Sequence, residues 1–276
     1  MVHSTPTSSG PRLGEGLSLR RMPAHWMLAR LGKRVMRPGG FEPSRRMIEQ
    51  LAIDPGDDVV EMWPGLGRTT ALALTGRPRS YVGVERGEAE AARARAELSG
   101  PDQRCIVAPA HRTGLPPDSA SVLYGEALLT LEPHRRKVEI VAEAARLLRP
   151  DGRYGIHELL LTPDHLTENA KSEIQTVLTE VLRIGARPLT RTEWHRLLDD
   201  GGFTVRAEEA CPLLLLDPRT VLSDEGIAGT VGVLARAIAH PEVLPRLTRI
   251  WRTFHRYRDN LGAITFTADR TGPARR

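Results

Sequence analysis

Short apolar runs and longer stretches of helical period alternate along most of this chain. Runs rich in Val, Ile, Leu and Ala at 57–61, 80–85, 105–108, 121–128, 153–158 and 204–208 have strand length. Between them, 68–74, 86–98, 133–148, 164–185 and 189–203 read as helices. Thr190 or Thr192 is placed to cap the last of these, and Gly201-Gly202 to stop it. Strands and helices in this alternation predict an α/β fold, with a parallel sheet covered on both faces. A further run at 263–268 is the best candidate for a seventh strand.

Two segments stand outside this alternation. In 18–36, Met27, Leu28, Leu31 and Val35 follow helical spacing with Arg30, Lys33 and Arg34 between them. Such a helix suits a lid packed over a ligand pocket; a membrane surface or a partner is the other use of a basic amphipathic face. Residues 42–52 resume as a helix with Pro43 in its first turn. The long stretch 209–262 holds a small-residue helix near 223–239 and a basic one at 242–258, and it reads as an insertion capping the substrate side. The expected division is a disordered arm over 1–17, a helical lid over 18–53, a ligand-binding core over 54–208, the cap over 209–262, and a final strand and tail over 263–276.

The stretch DDVVEMWPGLG at 57–67 carries the first chemistry. A strand ends at Glu61, a turn follows through Trp63, Pro64, Gly65 and Gly67, and a helix starts at Arg68. Glycines there let backbone approach a ligand, and the helix N-terminus offers free N–H groups. The next strand ends at Glu85, one strand–helix–strand unit later, where an acid can accept ribose hydroxyls. A dinucleotide fits incompletely, because the third small position of its glycine pattern falls on Thr70. A carboxylate before the turn suits a cationic ligand such as S-adenosylmethionine (SAM), which has an ammonium and a sulfonium.

VVEMWPGLGRTT resembles the first motif of the class I SAM-dependent methyltransferases, and VGVE resembles their ribose-binding motif. EAARLLRPDGRYGIHEL at 143–159 resembles their later helix–turn–strand. The resemblance spans roughly 45–210 and is nearest to the small-molecule enzymes that include those of quinone biosynthesis. It implies a Rossmann-like, doubly wound, seven-stranded, mostly parallel sheet with an antiparallel last strand, plus helical lid segments. It also implies SAM as cofactor and a small-molecule methyl acceptor, with O, N or C as the accepting atom. The cofactor contacts it implies are Glu61, Trp63, Pro64, Gly65, Gly67, Glu85, Arg86, Ala110, His111 and Glu126. Trp63 stands where the family commonly has its first glycine. Ala108-Pro109-Ala110 followed by His111 replaces the usual Gly-Asp-Ala near the adenine.

Methyl transfer needs alignment above all, and a base only where the nucleophile must lose a proton. The base candidates are His157, Glu158 and Glu126, all at strand ends; as neighbours on one strand, His157 and Glu158 face opposite ways. Composition changes the picture little. Aromatic residues are 4% of the chain, which argues against a stacking surface for nucleic acid. The two cysteines, Cys105 and Cys211, make no metal knuckle and suit a reducing cytoplasm, so no metal and a cytoplasmic location are expected. Net charge is +5, with the basic residues spread along the chain. No apolar run is long enough to span a membrane. The rival functions are a nicotinamide-dependent oxidoreductase on a similar sheet and a non-catalytic SAM-binding protein.

Overall fold

The computed structural model describes residues 16–272; most of the expected N-terminal arm and the last four residues of the tail lie outside the described residues. Strand β1 (Asp58–Met62) leads through the glycine turn into α3 (Arg68–Leu74), after the N-terminal helices α1 (Ala24–Arg30) and α2 (Phe41–Leu51). There follow β2 (Ser80–Glu85), α4 (Glu88–Ala96), β3 (Gln103–Val107), β4 (Ala120–Glu126), α5 (His134–Leu147), β5 (Leu148–Leu161) and α6 (Glu168–Leu182). The chain closes with β6 (Leu189–Thr190), α7 (Arg191–Asp200), β7 (Phe203–Pro212), α8 (Pro218–Ala239), α9 (Leu244–Arg256) and β8 (Leu261–Arg270).

The main path of the sheet runs β3-β2-β1-β4-β5-β8-β7, and the two-residue β6 pairs beside the end of β5. Strands β1 to β5 are parallel, and β8 enters antiparallel between β5 and β7. The expected sheet with its antiparallel last strand is present, and β6 is a short addition to it. The chain order reverses between β1 and β4, and ligands of such sheets bind beyond the strand ends at that point.

Alternation along β1 divides the core. Val60 and Met62 join Leu123, Ile156 and Trp194 on the face covered by α5 and α7. Val59 joins Tyr81, Val122 and Tyr124 under Met47 and Leu51 of α2 on the other face. Gly155 on β5 permits that contact: a Cβ there would lie 2.8 Å from Leu51 Cδ1. Thr190 caps α7 in a reciprocal box with Glu193, which stabilises the helix start by about 1 kcal/mol.

The N-terminal segment departs from expectation. Only 24–30 is helical, because Pro23 starts the helix and Gly32, at φ +97°, follows its end. Its apolar residues Met22, Met27, Leu28 and Leu31 are buried against Val181, Val243 and Ile250. That packing uses up the face a membrane would need, so the membrane reading of 18–36 does not hold. The insertion is also shorter than expected, since β7 continues to Pro212 and β8 begins at Leu261. Among the described residues no single helix is long and apolar enough to cross a membrane.

Candidate functional site

One large cavity opens above the ends of β1, β2 and β4, with about 1490 Å³ of atom-free space, its mouth included. Its floor is the glycine turn. Trp63 takes φ +60°, and Gly65 and Gly67 take +64° and +75°. Trp63 thus takes up the left-handed region that favours glycine, at the position where the family commonly has its first glycine. Its N–H donates to the Val84 carbonyl at 2.9 Å. The indole lies against the cavity under Arg86, whose guanidinium carbon is 4.9 Å from the ring centroid. The buried indole N–H has no hydrogen-bond partner among the described residues.

Glu85 ends β2 at the cavity wall and is almost fully buried. The Gly65 N–H donates to its Oε1 at 2.7 Å. Burial pushes the carboxyl up to about 7, and the Gly65 N–H draws back only part of that rise.

Glu126 ends β4 and also reaches the cavity. Its carboxylate is held by Arg37 Nε at 2.7 Å, Thr69 Oγ1 at 2.5 Å, the Ser44 hydroxyl and His157 Nδ1 at 3.2 Å. Burial alone would raise its pKa, but Arg37 and His157 outweigh burial and hold it at about 2. Glu126 is therefore a fixed anion rather than a base.

The other two base candidates do not reach the cavity. His157 is fully buried below it, with Nδ1 3.0 Å from Ser44 Oγ, and the Gly39 N–H donates to its Nε2 at 3.4 Å. Both ring nitrogens are occupied. Glu158 faces the other side of the sheet, as strand alternation requires, and accepts the N–H groups of Leu128, Leu129 and Thr130 at 2.8–3.0 Å. It fixes the turn after β4, where Lys137 Nζ donates to the Leu129 and Glu132 carbonyls at 2.6 Å.

Glu61 is likewise displaced from its expected role. It shares a face with Val59 and is buried under α3, where the Thr70 hydroxyl at 2.6 Å and the Tyr81 hydroxyl donate to its carboxylate. Burial raises its pKa, the two hydroxyls opposing. Glu61 braces the turn from below and does not line the cavity. Pro64 and Gly67 shape the turn without lining the cavity, and Ala110 is buried in the core. His111 borders a separate surface cleft with Arg112, Arg135, Arg136 and Glu139.

Several wall residues were not singled out in the sequence. His25 on α1 lines the cavity, and burial, with help from Arg86, pulls its imidazole down to about 4, so it is neutral at pH 7. Arg37 and Arg68 place positive charge beside the fixed Glu126. Apart from Arg34, Glu90 and Thr130, the rest of the wall is mostly apolar, with Trp26 and Leu28 from the N-terminus, Leu182 from α6, and Leu213, Ile250 and Phe254 from the insertion. Leu28 belongs to the helical pattern read over 18–36; the other positions carry no local signal, because residues far apart in the chain meet there.

The donor set fits SAM. Glu85 is a carboxylate at a strand end with Oε2 free of hydrogen bonds among the described residues. Arg68 suits a carboxylate, and its Nε, like the Trp63 indole N–H, is buried without a hydrogen-bond partner among the described residues. Among the described residues no group of His, Cys, Asp or Glu is arranged to hold a metal ion.

Comparison with known proteins agrees with this geometry. The profile of a family described as "Methyltransferase domain" matches residues 61–156. An uncharacterized protein of Haemophilus influenzae is 30% identical over 239 residues, covering 84% of this chain and 91% of that one. The cyclopropane synthase MmaA2 from Mycobacterium tuberculosis superposes with a TM-score of 0.65 at 16% identity, over 88% of this chain and 93% of that one. Geranyl diphosphate methyltransferase, solved in complex with SAM, superposes with a TM-score of 0.58 at 16% identity, over 83% of this chain and 84% of that one. At these identities the two structural likenesses are likenesses of fold.

Proposed function

This chain belongs to the class I SAM-dependent methyltransferases, and from that premise we propose that its acceptor is a predominantly apolar small molecule. The enzyme transfers a methyl group from SAM to a small organic acceptor, which removes the nicotinamide-dependent alternative. SAM, when bound, supplies an electrophilic methyl carbon on a sulfonium that leaves readily. The chain's own residues have simpler tasks. Glu85 accepts hydroxyls at the end of β2, and Trp63 and Arg86 form a platform beside it. Glu126, paired with Arg37 and held by Thr69, fixes the cavity floor. The apolar walls exclude water, which strengthens each of these electrostatic contacts.

The observation that carries the choice of acceptor is the largely apolar make-up of the cavity lining. Trp26, Leu28, Leu182, Leu213, Ile250 and Phe254 offer no charge and no hydrogen-bonding group other than the Trp26 indole N–H. His25 lines the same cavity as a neutral imidazole, a weaker base than an ordinary histidine, and we assign it the proton of an acceptor hydroxyl or amine. The chain's resemblance to quinone-biosynthesis methyltransferases points the same way.

The test is transfer of label from methyl-labelled SAM to two acceptor panels. One holds phenols and amines bearing prenyl or fatty acyl tails, the other the same head groups without tails. Turnover confined to the tailed compounds is expected. Turnover confined to the tailless set would sink the apolar acceptor, and methyl transfer itself would stand.

A further inference from the structure

Helix α8 presents its hydrophobic side to solvent. Gly226, at φ +72°, breaks it into a first part that packs against 33–41 and a second part from 227 onward. In that second part Ile227 is 75% exposed, Val231 59%, Leu234 57% and Ile238 72%. The spacing of four, three and four residues puts all four on one face. Arg236 is the sole charged residue between 226 and 239, and its Nε is engaged with the Leu31 carbonyl at 2.7 Å. Soluble monomers seldom leave a continuous stripe of this kind uncovered.

The neighbouring helix supplies what decides the occupant. After a 92° bend, α9 carries Leu244 at 42% and Trp251 at 48% exposure, with Arg249, Arg252 and Arg256 also exposed. From 218 to 256 there are six arginines and three acids. Two of those acids are engaged inward: Glu225 accepts the Arg34 and Val35 N–H groups at 2.7 and 2.9 Å, and Asp224 accepts that of Phe41 at 3.1 Å. Of the six arginines, Arg236 and Arg246 donate inward to the Leu31, Leu19 and Met22 carbonyls and Arg249 pairs with Glu180 at 3.3 Å, so Arg219, Arg252 and Arg256 carry the outward positive charge of the helix pair against Glu242. A second copy docking by two-fold symmetry would bring these arginines against themselves. A bilayer bearing anionic headgroups would meet both features, with the stripe entering the acyl boundary, Trp251 at headgroup level and the arginines on phosphates.

We propose that the α8–α9 insertion docks the enzyme onto an anionic membrane surface through Ile227, Val231, Leu234 and Ile238, with the α9 arginines providing electrostatic attraction. The same insertion lines the cavity through Leu213, Ile250 and Phe254, so the docked face and the cavity belong to one structural unit. The proposal does not depend on which acceptor is methylated, because the test reads vesicle binding alone.

Flotation of the full chain with phosphatidylcholine vesicles and with mixed phosphatidylcholine–phosphatidylglycerol vesicles measures it. The chain is expected to float with the mixed vesicles, less so as salt is raised. The double variant Ile227→Asp/Ile238→Asp changes only exposed side chains, so its circular dichroism and Tm should match the parent. Its vesicle affinity should fall at least about tenfold, since two apolar side chains no longer enter the bilayer. Absence of flotation with either vesicle, or equal flotation of parent and variant, would overturn the proposal. So would a parent that is dimeric in solution, becomes monomeric on the double substitution and never floats, which would assign the stripe to a second copy.

Discussion

Arg37 Nε stands 2.7 Å from the Glu126 carboxylate, joining the segment before α2 to the end of β4 across the cavity floor. Both side chains are largely buried. A buried pair contributes little net stability, but removing one partner strands the other. Arg37→Met should therefore cost about 3–5 kcal/mol in urea unfolding. Arg37→Met/Glu126→Gln should recover a large part of that loss. A single variant as stable as the parent would show that solvent already screens Glu126.

Glu85 predicts a pH dependence whose sign is fixed by the direction of its shift. Its carboxyl is raised by burial from the ordinary carboxylate range to about 7. Protonated Glu85 therefore contributes stability that is complete below about pH 4.5 and is lost as pH rises through about 7. Cofactor hydroxyls donate best to the ionised form, so SAM affinity should run the other way. It should rise between pH 6 and pH 7, by at most about tenfold per unit, and level off above that. Calorimetric titration at several pH values checks this. Glu85→Gln should flatten the profile, and Glu85→Ala should weaken SAM binding by about tenfold or more.

Glu225 ties the N-terminal cover to the insertion. It accepts the Arg34 and Val35 N–H groups and lies 3.7 Å from Lys33 Nζ, which is buried and has no hydrogen-bond partner among the described residues. Burial lowers the Lys33 pKa, and Glu225 opposes that fall. Glu225→Ala removes the counter-charge and two acceptors together. Hydrogen exchange of 33–37 should accelerate at least about tenfold, while β1 to β5 keep their protection. Added S-adenosylhomocysteine should slow exchange over 24–37 in the parent. Equal exchange with and without it would show that α1 and the segment after it do not cover the cofactor.

Much of this site was readable locally, and the failures share one cause. The strand–turn–helix around Gly65 and the acid at Glu85 are fixed by short-range chemistry, and they fall where the spacing put them. The opposed directions of His157 and Glu158 also follow from strand alternation. Glu61 was misassigned although the same alternation places it with Val59, under α3 rather than in the cavity. His157 could be read as a base because the sequence does not show that Ser44, Glu126 and the Gly39 N–H converge on it. Arg37, His25 and Phe254 reach the cavity through packing between distant segments, which no period in the chain records.

The two histidines separate catalysis from architecture. His157 has both ring nitrogens engaged in the buried core, so His157→Gln should lower stability by about 1–3 kcal/mol through unmet hydrogen bonds. Its kcat should remain within a small factor of the parent's, because the ring does not line the cavity. His25 is the reverse case. It packs on a surface helix and lines the cavity, and its low pKa of about 4 keeps it neutral and able to accept a proton across the working range. With an acceptor that must lose a proton, His25→Ala should reduce kcat by about 10²–10⁴ with little change in SAM affinity. The parent's kcat should also show no histidine limb between pH 5 and pH 8, since a base of pKa about 4 is already deprotonated there. A His25→Ala enzyme with parental kcat, beside an inactive but folded His157→Gln enzyme, would reverse the assignment and place the chemistry at His157 on β5.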